Sequence, residues 1–111
     1  MDNQINKLLA DVLIALDAID SYLSEPKKFE DYQYNALLKD AVERNLITVG
    51  EAVNHLLKAV PEITISDARK IVNTRNRLTH GYDEIDDVQI WSIIINYLPK
   101  LRKEIETLLN Q

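Results

Sequence analysis

The sequence predicts an all-α protein that folds as an antiparallel four-helix bundle. Apolar residues recur at steps of three and four along most of the chain, as on one face of a helix. Only 2 Gly and 3 Pro interrupt its 111 residues, and no segment shows the alternation of a strand. With 46% hydrophobic residues, residues 1–111 are expected to form a single domain with its own core.

The first two predicted helices span about Asn3–Leu23 and Tyr32–Val60. Asp2 is a suitable N-cap for the first helix, and Pro61 ends the second. Gly50 lies in the middle of the second helix, where it costs about 1 kcal/mol relative to alanine. A glycine at this position predicts the close approach of another helix.

The third predicted helix starts near Ser66, as its N-cap, and ends at Gly81. The fourth follows a carboxylate-rich stretch in which Asp86 or Asp87 can cap it. Pro99 lies inside the fourth helix and predicts a kink there, not a break. Its expected buried stripe comprises Trp91, Ile94, Ile95, Leu98, Leu101, Ile105 and Leu108. The tyrosines expected on helix surfaces are Tyr22, Tyr32, Tyr34 and Tyr97.

The composition limits the possible functions. A net charge of −5 and a pI near 4.9 argue against broad nucleic-acid binding through an extended basic face. The absence of Cys excludes a disulfide framework and a thiolate metal site. The sequence shows no signal peptide and no apolar run of membrane-spanning length, so we expect a cytoplasmic protein without membrane contact. Five potentially basic residues nevertheless cluster in the third helix: Arg69, Lys70, Arg75, Arg77 and His80.

The segment from Arg75 to Tyr82 contains side chains that could cut RNA without a metal. Arg75 could hold a phosphate and stabilise the charge that develops on it. His80 could deprotonate a ribose 2′-hydroxyl or protonate the leaving 5′-oxygen. Asn76 would orient His80 or the phosphate, and Arg77 would reach a neighbouring phosphate. The expected product is a 2′,3′-cyclic phosphate, and DNA would be inert.

Helix geometry separates the two proposed catalytic residues. Arg75 and His80 are five positions apart, about 140° around a regular helix, whereas Asn76 and His80 share a face. Three solutions remain open: the helix loosens near Gly81, the length of arginine bridges the gap, or a second subunit completes the site. A symmetric homodimer would line one cleft with two arginines and two histidines.

The motif also has an ordinary structural explanation. Arginine and histidine near a helix C-terminus complement the macrodipole, and Tyr82 could be a core aromatic residue. For the short Arg-x-x-x-x-His pattern alone, this explanation is preferable to catalysis.

A wider set of motifs favours catalysis. The chain resembles the HepT-like branch of the HEPN superfamily in the order and spacing of Glu43-Arg44-Asn45-Leu46, Gly50-Glu51-Ala52, Arg75-Asn76-Arg77 with His80-Gly81-Tyr82, and Trp91 with Leu98-Pro99. This resemblance implies a dimeric, metal-independent ribonuclease toxin without a cofactor, paired with a minimal nucleotidyltransferase antitoxin. It implies that Arg75 and His80 are catalytic and that the antitoxin transfers AMP to Tyr82. The alternative is a non-catalytic HEPN module that binds a nucleotidyltransferase or a nucleotide.

Three further sets of residues could belong to a site. His55 has no second histidine at ligand spacing, which indicates a surface or packing role. The carboxylates around Asp86 lack the spacing of a calcium loop, and helix capping explains them, so no metal site is expected. Glu51, beside Gly50, could hold a motif arginine or simply face solvent.

Overall fold

The structure, a computed structural model, describes residues 2–81 and 85–111. Within these ranges the chain is helical and contains no strand. The helices are α1 (Asn3–Tyr22), α2 (Phe29–Gln33), α3 (Ala36–Ala59), α4 (Ala68–His80), α5 (Asp87–Ser92) and α6 (Leu98–Leu109), with a π-helical turn over Ile93–Tyr97 between α5 and α6. The predicted all-α fold is therefore confirmed.

Helices α1, α3 and α4 pack side by side in alternating directions. His55, near the end of α3, lies beside Gln4 at the start of α1. Lys39, near the start of α3, shares a cleft with Gly81 at the end of α4. Each neighbouring pair is therefore antiparallel, as the short connections between them require.

The continuous helical segment from α5 to α6 completes the bundle. Arg77, late in α4, contacts Gln89 in α5, whereas Ser66, just before α4, contacts Glu104 in α6. The segment therefore runs antiparallel to α4, and α6 also packs against α1. There Arg102 of α6 makes ion pairs with two α1 carboxylates, those of Asp17 and Asp20, at 2.8 and 3.0 Å.

The second predicted helix is wrong as one continuous element. The chain forms α2, leaves helical geometry, and restarts as α3 behind Asn35. The Asn35 side chain accepts a hydrogen bond from the Leu38 N–H at 3.0 Å, which is the action of an N-cap. The extra helix α2 buries Tyr32 completely, with its ring 5.8 Å from that of Trp91. The expectation of a surface position for Tyr32 is therefore also wrong.

The ends of the other helices agree more closely with the sequence. Asp2 caps α1 by accepting from the Ile5 N–H at 2.9 Å, and Asp86 caps α5 by accepting from the Val88 N–H at 2.7 Å. Ser66 is not the cap of α4. Its N–H instead donates to the Glu104 carboxylate, and Asp67 takes a left-handed conformation immediately before the helix.

The π-helical turn explains how the last helix accommodates Pro99. Proline lacks the N–H that an α-helix needs, and the wider turn precedes Pro99 at the start of α6 while the chain remains helical. A π turn contains an extra residue, so it shifts the buried stripe. Ile90 and Ile93 are buried, whereas Ile95 is exposed, contrary to the predicted stripe.

Candidate active site

Helix α4 carries the motif on a strongly amphipathic scaffold. Its inward face consists mainly of Ala68, Ile71, Val72 and Thr74, which are buried. The helix also contains four of the chain's thirteen Lys and Arg residues and no acidic residue. Because the whole chain is acidic, α4 is a local concentration of positive charge, although it is favoured partly by the negative dipole end near Gly81.

Arg75 lies where α4 crosses α3. A Cβ added to Gly50 would overlap the Arg75 Cβ, lie 2.9 Å from the Arg75 Cγ and lie 3.3 Å from the Ile71 carbonyl oxygen. The predicted close approach at Gly50 is therefore confirmed, and the approaching residue belongs to the motif itself. The glycine lets the stem of Arg75 lie directly on the α3 backbone.

The guanidinium of Arg75 turns toward the next residue of α4. Its Nη1 donates to the Asn76 Oδ1 at 2.8 Å. Its Nε is buried and has no hydrogen-bond partner within the described residues. Since Asn76 and His80 lie one turn apart on the same face, this hydrogen bond draws the Arg75 charge toward the His80 side of the helix.

The helix remains regular through the motif. The Gly81 N–H donates to the Arg77 carbonyl oxygen at 3.1 Å, so the last turn is still α-helical. Gly81 then adopts φ +64° and caps the helix, as predicted. Loosening before His80 therefore does not bridge the 140° separation. Of the three solutions, the length of arginine and a second subunit stay predictions.

The remaining motif residues differ in their exposure to solvent. His80 and Arg77 are exposed, and Asn76 is half-buried. Arg77 Nη1 lies 3.4 Å from Gln89 Oε1, a long hydrogen bond. The predicted roles of Arg75, Asn76, Arg77 and His80 stay predictions.

Two predicted site residues remain, Glu51 and Tyr82. Glu51 is exposed, and no ion pair joins it to an arginine within the described residues, so its part in the site stays a prediction. Tyr82 lies outside the described residues, and its role stays a prediction.

Comparison with known proteins identifies the family. A family model described as ribonuclease HepT-like matches residues 12–108. The chain belongs to the HepT-like ribonuclease family. The resemblance to the HEPN superfamily in the motif region is thereby confirmed.

Several relatives match this HepT-like chain over most of their length. It is 28% identical over 109 residues to two candidate RNases of Methanocaldococcus jannaschii, and the alignments cover 95% of this chain and 87% and 90% of the relatives. It is 31% identical over 84 residues to a candidate RNase of Caldanaerobacter subterraneus, with 75% of each chain covered. No solved structure matches the chain.

A cleft of about 630 Å³ opens beside the end of α4 in this HepT-like fold. Its described lining consists of Lys39, Glu43, Arg77, Leu78, Gly81, Ile85, Asp86 and Asp87. Lys39 and Asp87 form a half-buried ion pair at 3.0 Å. Sequence reasoning did not assign Lys39 or Glu43 to the site, although their i, i+4 spacing on α3 places them on one face.

Glu43 is the carboxylate in this cleft with a displaced pKa. Burial is the largest cause that raises the pKa of the Glu43 carboxyl, and Asp40 and Asp87 raise it further, while Lys39 lowers it. Ionisation of Glu43 is therefore less favourable than ionisation of an exposed glutamate.

The described residues contain neither a metal-binding cluster nor a membrane-spanning helix. Within residues 2–81 and 85–111, no three His, Asp or Glu side chains converge in a way that could hold a metal ion. The same part of the chain contains no helix with the length and apolar character needed to cross a membrane.

Proposed function

We propose that this chain is a metal-independent endoribonuclease toxin of a toxin–antitoxin pair. In this proposal it cuts RNA through a dimeric Arg75/His80 site and is silenced when a nucleotidyltransferase antitoxin transfers AMP to Tyr82. Membership of the HepT-like ribonuclease family supports the activity. The observation that supports the site is the Arg75–Asn76 hydrogen bond, because Asn76 shares a helix face with His80.

The chemistry follows from an internal nucleophile. One His80 removes the proton of a ribose 2′-hydroxyl, and the 2′-oxygen attacks the adjacent phosphorus. The bond between phosphorus and the 5′-oxygen breaks, and that oxygen receives a proton from the His80 of a second subunit. Arg75 stabilises the pentacoordinate phosphate. The products are a 2′,3′-cyclic phosphate and a 5′-hydroxyl.

A cleavage assay tests the activity. Purified protein is incubated in EDTA with RNA and with DNA of the same sequence, beside the His80→Ala and His55→Ala variants. His55 is the matched control, because it is exposed on α3 at the other end of the bundle. We expect cleavage of RNA alone, cyclic phosphate ends, and a loss of at least about 10²-fold in His80→Ala only.

The outcomes of this assay separate the proposal from its rivals. Activity that EDTA abolishes and Mg²⁺ restores would exclude the metal-independent mechanism. An active His80→Ala variant would remove His80 from it. Absence of cleavage by the parent protein, together with binding of a nucleotidyltransferase or a nucleotide, would favour the non-catalytic module.

The dimer is testable because the chain has no native cysteine. Thr79 is exposed near the end of α4, and Thr79→Cys is expected to form a disulfide-linked dimer on oxidation if the two motifs meet across a two-fold axis. Ile14→Cys is the control, since Ile14 is 67% exposed on α1. A monomeric mass at micromolar concentration, or cross-linking of the Ile14 variant alone, would refute the proposed arrangement.

The regulatory step is a balanced transfer. The Tyr82 oxygen attacks the α-phosphorus of ATP, pyrophosphate leaves, and the phenol loses its proton. The added phosphodiester charge and nucleoside would compete with RNA for Arg75 and His80. Tyr82→Phe should keep ribonuclease activity and resist silencing by the antitoxin, whereas the exposed Tyr34→Phe control should be modified and silenced. Equal labelling of the parent and Tyr82→Phe proteins by intact mass, or full activity of modified protein, would contradict this step.

A further inference from the structure

A second cleft, of about 390 Å³, lies between α4 and the segment formed by α5 and the π-helical turn. Its described lining consists of Lys70, Asn73, Thr74, Arg77, Ile85, Gln89, Ser92, Ile93 and Tyr97. The volume falls within the roughly 300–1,000 Å³ of small-molecule sites. Arg77 also lines the first cleft, so the two clefts meet at a motif residue.

The charge of this second cleft is opposite to that of the protein. Its described lining contains two cations, Lys70 and Arg77, and no carboxylate, although the chain has a net charge of −5. Such local complementarity favours an anionic occupant.

Tyr97 holds the ammonium group of Lys70 in place. Lys70 Nζ donates to the Tyr97 hydroxyl at 2.9 Å and lies 4.8 Å from the ring centroid. This hydrogen bond is the main cause that raises the pKa of Lys70, and Asp67 raises it slightly further. Tyr97 belongs to the π-helical turn, and π turns occur often at functional sites.

Two amide side chains line the cleft, one from each of two helices. Asn73 projects from α4 and Gln89 from α5, and each lines the space between them. The Asn73 amide makes no hydrogen bond within the described residues, and Gln89 uses only its Oε1, to Arg77. An amide side chain both donates and accepts hydrogen bonds. It therefore suits the edges of nucleobases in single-stranded RNA, which carry both donors and acceptors.

We propose that this second cleft holds the nucleotide next to the cleaved bond and sets the sequence preference of cleavage. Lys70 contacts the phosphate of this nucleotide, and Asn73 and Gln89 bind its base edge. This inference rests on the proposed ribonuclease function, because Arg77 links the cleft to the motif that would cut the RNA strand. It adds a specificity site to the Arg75/His80 chemistry.

Binding is measured separately from cleavage. Short 2′-O-methyl RNA oligonucleotides lack the attacking hydroxyl, so they can occupy the protein without being cut. In titrations of the parent protein followed by NMR, the side-chain amide signals of Asn73 and Gln89 should shift, whereas that of Gln4 on α1 should not. Unshifted Asn73 and Gln89 signals at saturation would overturn the proposal.

Variants separate the phosphate contact from base recognition. The logarithm of the RNA-binding constant falls linearly with the logarithm of the salt concentration. Lys70→Met should make this slope shallower by about 0.7, the value for one phosphate contact on a single strand. Lys7→Met on α1 removes the same charge elsewhere and should leave the slope unchanged. Gln89→Ala should reduce base discrimination at one position beside the cut by roughly tenfold in a randomised RNA library. Gln4→Ala is its control.

The outcomes distinguish this inference from the proposed function. Cleavage with the parental preference and salt slope in Lys70→Met and Gln89→Ala would overturn the specificity site and leave the ribonuclease intact. Amide shifts with 2′-O-methyl RNA, in a protein that cuts no RNA, would support the nucleotide site and overturn the ribonuclease. Equal loss of discrimination in Gln4→Ala would also overturn the specificity site.

Discussion

Replacement of Gly50 by alanine tests how the bundle positions Arg75, the arginine of the proposed active site. Alanine favours the helix by about 1 kcal/mol over glycine. The added Cβ would, however, overlap the Arg75 Cβ and approach the Ile71 carbonyl oxygen. Neither atom is the end of a flexible side chain, so α3 and α4 must separate. Overpacking of this kind costs roughly 1–3 kcal/mol, and we expect a cost in the upper half of this range.

The net expectation is a destabilisation of about 1–2 kcal/mol, because the steric cost exceeds the gain in helix propensity. That corresponds to a fall in Tm of roughly 5–10 °C for a domain of this size. Thermal and urea unfolding by circular dichroism measure it, with the exposed Thr48→Ala on α3 as the control. RNA cleavage should fall more than the unfolded fraction explains, because Arg75 is displaced.

A double variant isolates the contact. Arg75→Gly removes the Cβ that meets the new methyl group, so in that background Gly50→Ala should be nearly neutral or stabilising. If Gly50→Ala stabilised the protein with Arg75 present, or if its cost were the same in both backgrounds, the steric argument would be refuted.

Two other perturbations have expected outcomes set by local contacts. The folded state raises the pKa of the Glu43 carboxyl, so the stability of the protein falls as the pH rises from the ordinary pKa to the raised one. Glu43→Gln replaces the carboxyl with a neutral group and should therefore raise the free energy of unfolding at pH 7. In urea unfolding, the gain in stability of Glu43→Gln should vanish below about pH 4, where the carboxyl is protonated in both states. A gain that persists at that pH would show that ionisation of Glu43 is not its cause. Asn35→Ala should cost about 1 kcal/mol through loss of the α3 cap, and unchanged unfolding would remove Asn35 from that role.

Helix positions were predictable from the sequence where one short-range signal dominated. The periodic apolar residues and the Asp2 cap placed α1 to within one residue of its observed end. The break before α3 was missed because neither proline nor glycine marks it, and the N-cap role of Asn35 was not recognised. Ile95 was misplaced because the periodic analysis assumed a constant rotation per residue, which the π turn changes.

The sequence indicated a close contact at the candidate site but not the residue that makes it. A glycine in the middle of a helix indicated a close neighbour, but the sequence could not show that the neighbour was Arg75, since that depends on how two helices are registered. The second cleft could not be predicted from the sequence either. Lys70 and Tyr97 are 27 positions apart, and their meeting requires both the α4 packing and the π turn.

The contrast between an acidic chain and a basic α4 has a consequence for selectivity. At physiological salt, charge interactions are screened beyond about 8 Å, so the four cations of α4 attract a phosphate only when it is close. A long RNA gains little from the rest of an acidic surface. In the proposed function, binding would therefore come from a few phosphates held near Arg75, Arg77 and Lys70. Under that condition a single base contact in the second cleft can change which bond is cut, because little non-specific affinity competes with it.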